Sequence, residues 1–528
     1  QIASATVPSR IRISCVSLDL SALPRDVDAL QALVQELASA LTAEKLQVEQ
    51  LKARIAQLRR MQFGRSSEKI DLEIAQLELA LDEHHENEGA REEAEPKAPR
   101  RVGGKHERRP SFDHLPHEEM TLDIGTKLCP CCGGALHAIG ESVSEMLDIV
   151  PARLRVLRIR RAKYGCRSCG TIHQAPAPER PIAKGLATPG LLAHVLISKY
   201  CDHLPLYRQS QIFARQGVEI ERSTLANWVG GACWWLKPLH ERLAAHVFTS
   251  AKLFADDTTL PVLDPGRGRT KTGRLWVYAR DDRPWAGTDP PAAVYLYSPD
   301  RKSDRPASHL KDFRGISQVD GYAGFERLTA DGSIALAACW AHARRKFFDV
   351  SEATGSPIAA EALRRIAEIY AVERSINGQE PETRFSVRTV QSKPLVDALL
   401  PWLQQQLGRI PGSSTLAEAI RYTLGRWDEL RFFLRDGRIE LDNNTVERAI
   451  RPVALGRKNH MFAGSDRGAE RWACVSSLVT TAKLNDVDPH AYLKDVLERM
   501  VEGHPMTRLD DLLPWNWAKN ASTANPVQ

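Results

Sequence analysis

Hydrophobic residues between Leu30 and Leu58 recur at alternating steps of three and four: Leu30, Val34, Leu37 and Leu41, then Val48, Leu51, Ile55 and Leu58 after a break at Glu44. Val34, Val48 and Ile55 take the a positions of a heptad and Leu30, Leu37, Leu51 and Leu58 the d positions, with Leu41 at a as the exception. That pattern favours a parallel two-stranded coiled coil over an amphipathic helix packed on its own domain. Gln62 and Arg65 interrupt it, Gly64 marks a helix end, and residues 70–81 predict a second helix. Residues 206–229 predict helix, turn at Gly217 and a second helix capped by Ser223, the arrangement of a helix-turn-helix.

Beyond residue 252 the period shortens. LFADDTTLPV, RLWVYAR, AAVYLYSP, GISQVD and IALAAC are short β-rich runs, with a helix predicted at ASHLKDF and another starting at CWAHARRKFFD. Three strands joined without helices, then strands alternating with helices, predict an α/β domain with a mixed sheet of the ribonuclease H type. A helical insertion continues to about residue 440. Asp442 and Asn443 can then cap a helix carrying Glu447, which Pro452 is expected to end. Helices at 469–484 and 489–500 close the pattern.

Composition changes this picture in three ways. A chain of 528 residues is too long for one core and divides into several domains. Its 43% apolar and 26% charged content is ordinary, and no apolar run approaches the ~20 residues of a membrane span, so a cytoplasmic, nucleoid-associated protein is expected. The net charge of +6 matters less than its clustering. Residues 82–95 carry seven acids against one Arg, and 97–109 carry six Lys or Arg against one Glu, the mark of a solvated charged linker.

Of ten cysteines, four form two C-x2-C pairs, Cys129 with Cys132 and Cys166 with Cys169. In a reducing compartment such pairs point to one structural Zn²⁺ rather than to disulfides, with Cys132 preferred over Cys131 for its spacing. The stretch between them, LDIVPARLRVLRIRRAKY, is expected to form a β-hairpin, and Arg153, Arg155, Arg158, Arg160, Arg161 and Lys163 make it a candidate DNA contact. Arg222, Thr224 and Asn227 are candidate groove contacts of the helix-turn-helix.

Asp256, Asp320 and Glu447 sit at the ends of apolar runs or on a helix set to fold back across them. Taken singly they have ordinary roles: Asp256 and Asp257 could cap a turn, Asp320 could open an Asp-Gly turn, and Glu447 could pair with Arg451. Together they can hold two Mg²⁺ or Mn²⁺ ions about 4 Å apart for phosphodiester chemistry. Gly321 would leave room for a phosphate, and Arg344, Arg345, Lys346, Arg448, Arg451, Arg457 and Lys458 would bind the DNA backbone.

These motifs, FGRSSEK, CPCCGG with CRSCG, ADDT with GRLWVY, VDGYAGF, CWAHARRKF and NNTVERAIRPVALGRKN, run in an order that resembles the DDE transposases of the insertion sequence 66 family. The resemblance implies Asp256, Asp320 and Glu447 as a metal-binding triad, and cleavage at element ends followed by attack of the freed 3′-hydroxyls on target DNA. Where the family has Asp-Glu-Thr this chain has Asp256-Asp257-Thr258, and His342 also matches a family motif.

The domain division expected is a helical, coiled-coil region at 1–81, the linker at 82–115, the zinc module at 116–180 and a DNA-binding helical region at 181–248. A catalytic domain at 249–462, with its insertion at 350–440, and a helical segment at 463–528 complete it. Double-stranded DNA, a second copy of the chain through the coiled coil, and accessory transposition proteins are the expected partners, with no membrane. A zinc-containing DNA-binding regulator, such as a domesticated inactive transposase, is the competing expectation, and a nuclease that cuts without joining is a third.

Overall fold

The computed structural model describes residues 154–165, 172–182, 185–264, 269–330, 332–460 and 462–524, with Gln31 and Gln35. The chain divides into two compact units, residues 1–48 with 78–158 and residues 49–77 with 159–528. Of the first unit only Gln31, Gln35 and residues 154–158 are described. The heptad region, the charged linker and Cys129, Cys131, Cys132, Cys166 and Cys169 lie outside the described residues, apart from Gln31 and Gln35, which are helical.

In the second unit β1 (Lys163–Gly165) pairs antiparallel with β2 (Ile172–Gln174). The hairpin expected over 147–164 is met only in part: residues 147–153 lie outside the described residues, Lys163 and Tyr164 belong to β1, and residues 154–162 form no strand, with Val156 and Leu157 exposed. Without a buried face, alternation alone does not hold a strand.

Three helices come next, α1 (Pro189–Tyr200), α2 (Leu206–Arg215) and α3 (Arg222–Phe248). The expected helix, turn, helix is present, with Gly217 at φ +80° in the turn. Ser223 is not the cap, however. Glu221 holds that position without a side-chain cap bond, and the Ser223 hydroxyl donates to the Glu221 carboxylate at 3.2 Å. α3 is also longer than a recognition helix needs, because Leu225, Trp228, Ala232, Leu236, Leu239 and Leu243 continue a buried stripe along it.

All five expected strands form one mixed sheet in the order β5-β4-β3-β6-β7: β3 (Lys252–Asp264), β4 (Arg269–Arg280), β5 (Ala292–Ser298), β6 (Gly315–Val319) and β7 (Ile334–Ala338). β3, β4 and β5 are antiparallel neighbours, while β6 and β7 run parallel to β3. Helix α4 (Asp304–His309) lies between β5 and β6, a little earlier than ASHLKDF predicts. The β5 edge is covered: Ser477 and Thr481 of α12 (Asp466–Leu484) accept from the backbone N–H groups of Tyr295 and Ala293.

After β7 come α5 (Trp340–Thr354), α6 (Pro357–Ser375), α7 (Pro381–Val387), a π turn at Arg388–Ser392, α8 (Lys393–Leu407), α9 (Thr415–Leu424) and α10 (Trp427–Leu430). Trp340, Phe347, Ile366, Leu399, Ile420 and Phe433 give this block a core continuous with Ile316 and Ala337 of the sheet. Two buried arginines tie it to the stretch at 439–440. Arg388 pairs with Glu373 at 2.6 Å and donates to the Ile439 carbonyl at 2.7 Å, and Arg384 pairs with Glu440 at 2.7 Å.

Helix α11 (Asn444–His460) carries Glu447 in its first turn and runs through Pro452. The expectation that Pro452 ends the helix is therefore wrong. Val446, Ala449 and Val453 on both sides of it are buried, and that packing outweighs one lost backbone hydrogen bond. α13 (Pro489–Val501) and α14 (Pro514–Ala524) end the described chain.

Candidate active site

Strand β6 is shorter than β3, and this leaves a notch. β6 pairs with β3 only from Lys252 to Ala255, so β3 beyond Ala255 has an open edge on that side. Three groups occupy it. The Asn443 side-chain amide donates to the Ala255 carbonyl at 3.1 Å, Arg457 donates to the Thr258 hydroxyl at 3.1 Å and to Thr259, and Ala463 accepts from Leu263 N–H at 2.8 Å. Pro261 is tolerated there because its nitrogen faces this edge and its carbonyl accepts from Ala463 N–H at 2.9 Å. Asn443 and Arg457 stand at opposite ends of α11, so the helix lies along the notch.

This arrangement brings Asp256, Asp320 and Glu447 to one place. Ala255 and Val319 are register partners, so the next residues, Asp256 and Asp320, leave adjacent strands side by side. Glu447 comes one helical turn after Asn443. Burial, then the charges of Asp320, Asp257 and Glu447, push the Asp256 carboxyl well above the usual carboxylate range. The charges acting most strongly on it are thus carboxylates. Asp256 also accepts from the Asp257 N–H at 2.6 Å, and Asp320 from the Tyr322 N–H at 2.9 Å.

Asp257 points to the other face of β3. Its side chain is fully buried and holds Arg274 at 2.9 Å and Arg301 at 2.7 Å. Arg301 in turn stacks on the Tyr322 ring at 3.7 Å, next to Asp320. Gly321 does not leave the open room expected of it. It has φ +92°, a Cβ there would meet Arg426 Nε at 2.6 Å, and Arg426 donates to its carbonyl at 2.8 Å.

His342 on α5 lies with Nδ1 3.8 Å from a Glu447 oxygen, and Cys339, His342 and Glu447 can bring one donor atom each within 4.8 Å of one another. Nδ1 of His342 and the side-chain oxygens of Asn443 and Asn444 are buried without a hydrogen bond. A buried carboxyl raised by acidic neighbours and ringed by unsatisfied buried polar atoms suits a hard divalent cation. Burial and the Glu440 and Glu447 charges hold Asp442, just before α11, at about 6, despite the Asn444 N–H it accepts.

Sequence reasoning passed over the residues that bring the acids together. Gln318, fully buried in β6, donates to the carbonyls of Glu440 and Asp442 and accepts from Glu440 N–H at 3.0 Å. It fastens the approach to α11 to the strand that ends in Asp320. The signal was an amide at an inward position of the apolar run GISQV.

The candidate DNA contacts fall into two groups. Arg158, Arg160, Arg161, Arg222, Asn227, Arg448, Arg451 and Lys458 are exposed, although Arg161 also donates to the Ala175 carbonyl at 2.8 Å. Arg344 and Thr224 are half-buried; Arg345 pairs with Asp349 at 2.8 Å, Lys346 approaches Glu418 at 3.6 Å, and Arg457 is tied to β3. No described helix is long and apolar enough to cross a membrane.

Family models place these elements. Residues 184–471 match the transposase IS66 family, 477–515 its C-terminal element, 126–170 the zinc-finger binding domain of transposase IS66, and 50–120 the transposase C of IS166 homeodomain. The uncharacterised protein y4jD of Sinorhizobium fredii is 43% identical over 95% of this chain and 98% of its own length. Two more uncharacterised proteins of that organism are similar: y4hP at 42% over 90% of this chain and 89% of its own, and y4qI at 39% over 96% and 99%. With family models matching from the zinc-finger segment through the C-terminal element, the chain belongs to the IS66 family of transposases.

Proposed function

We propose that the chain cuts DNA at the ends of an insertion element and joins the freed ends to a target, using Asp256, Asp320 and Glu447. The observation that carries this is the convergence of Asp320 and Glu447, from distant parts of the chain, on the Asp256 carboxyl beside the notch in β3. The sheet, three antiparallel strands followed by two parallel ones, is read as a ribonuclease H-like domain with a helical insertion. Two Mg²⁺ or Mn²⁺ ions held by the triad would activate the attacking oxygen and stabilise the leaving one.

The chain's own groups do the rest. Asn443 and Gln318 fix the start of α11 so that Glu447 faces Asp256 and Asp320. His342 on α5 stands beside the Glu447 carboxylate, its Nδ1 3.8 Å from the oxygen. Asp257 neutralises Arg274 and Arg301, and Arg301 so held stacks on Tyr322 beside Asp320. Arg448, Arg451 and Lys458, exposed on the helix that bears Glu447, meet DNA phosphates, and Arg222 and Asn227 present the exposed face of α3 to the duplex. Arg158, Arg160 and Arg161, each exposed, add phosphate contacts, and Cys129, Cys132, Cys166 and Cys169 hold one structural Zn²⁺. The heptads at Leu30–Leu58 pair two copies of the chain.

Glu447→Gln tests the triad. It is expected to lower strand cleavage of element ends with Mg²⁺ by about 10³-fold while leaving duplex affinity within about twofold. Cleavage at the unsubstituted rate would remove Glu447 from the site. A strand-transfer assay separates joining from cutting alone.

A further inference from the structure

The end of α1, the start of α3, the start of α12 and the segment at 462–465 enclose a cleft of about 630 Å³ that plays no part in the strand-cleavage chemistry. Sites for small organic molecules span about 300–1,000 Å³. Leu206, Ala226, Val229 and Phe462 make part of its lining apolar, and three cations, Lys199, Arg222 and Arg471, face one acid, Glu221.

Lys199 is the informative group. Its ammonium lies 5.0 Å from the Tyr200 ring and 5.9 Å from that of Trp472, both buried. Burial alone acts on it, pulling its pKa down to about 8, and no carboxylate offsets that cost. A desolvated cation facing a cleft calls for an anion. Arg471 reaches the same cleft across Gly230, where a Cβ would come within 3.2 Å of the guanidinium. The lining therefore offers positive charge and an apolar surface together, which suits a phosphate joined to a flat ring.

We propose that this cleft receives one unpaired nucleotide of the DNA substrate, with its phosphate between Lys199 and Arg471 and its base against the apolar lining. The proposal rests on the DNA-processing function proposed for the chain. DNA is favoured over a free nucleotide because Arg222 and Ala226 belong both to the cleft and to the exposed face of α3, so a strand lying on that face passes its mouth. The cleft is also joined to the catalytic elements. Ala463 lines it and is bonded to β3, and the segment that holds it continues directly from α11.

Calorimetric titration of the full chain with 2′-deoxyadenosine 5′-monophosphate tests the proposal. Binding is expected, with deoxyadenosine and inorganic phosphate each at least tenfold weaker, and with a six-nucleotide single-stranded DNA competing for the site. Lys199→Met, which keeps the stem and removes the charge, should weaken the mononucleotide at least tenfold. Ala226→Phe, which fills the cleft and leaves its cations in place, should do the same. Absence of binding, unchanged binding in both variants, equal binding of inorganic phosphate, or failure of the oligonucleotide to compete would each overturn the proposal. Failure of the unsubstituted protein to cleave element ends would instead count against the proposed function, and the mononucleotide titration does not depend on that result.

Discussion

Adjacent aspartates in ADDT have opposite fates because successive side chains of a strand leave opposite faces. Asp257 neutralises two arginines, whereas Asp256 joins a group of like charges. Asp257→Asn strands those arginines and is expected to cost about 3–5 kcal/mol in a denaturant melt. Asp256→Asn is expected to raise the melting temperature in metal-free buffer near pH 7 while abolishing cleavage, because it removes a buried charge the fold disfavours. Lys199 behaves similarly. Its pKa of about 8 in the folded chain lies below the ordinary lysine value of 10.5, so the native state gives up the proton first. The resulting penalty, about 3 kcal/mol, is fully present below pH 8 and disappears as pH rises towards 10.5. Lys199→Met should therefore be more stable than the parent at pH 7, with the gain fading near pH 10.5 in paired urea melts.

At the scale of elements, legibility followed the locality of the signal. The five strands were readable because each is a short apolar run bounded by turn residues, and the start of α11 because Asp442 and Asn443 announce it. The passage of α11 through Pro452 was not readable, since the burial of Val446 and Val453 depends on strands about 180 residues upstream. Pro452→Ala is expected to stabilise the protein by up to about 3 kcal/mol, the usual difference between those residues inside a helix, in the same melts. Gly321→Ala should act in the other direction. The backbone there is left-handed and the new methyl meets Arg426, so Asp320 shifts, and cleavage should fall more than duplex binding does.

At the scale of the whole molecule the order of motifs was enough to indicate the family, and the ends of two apolar runs and a capped helix were enough to propose Asp256, Asp320 and Glu447 as a triad. What could not be read was how the acids are brought together. That work falls to Gln318 and Asn443, whose partners are backbone carbonyls and amides that carry no residue-specific pattern, and to the two buried arginines, which bind backbone carbonyls as well as Glu373 and Glu440. The bonds from Arg384 and Arg388 to Ile439 and Glu440 have a wider implication. The helical insertion is bolted to the last few residues before α11, the helix that carries Glu447, so it acts as a gauge block rather than as a lid that swings. A transplant of the corresponding region from a relative would keep the protein active only if the guest brought arginines that reach the same two anchor points.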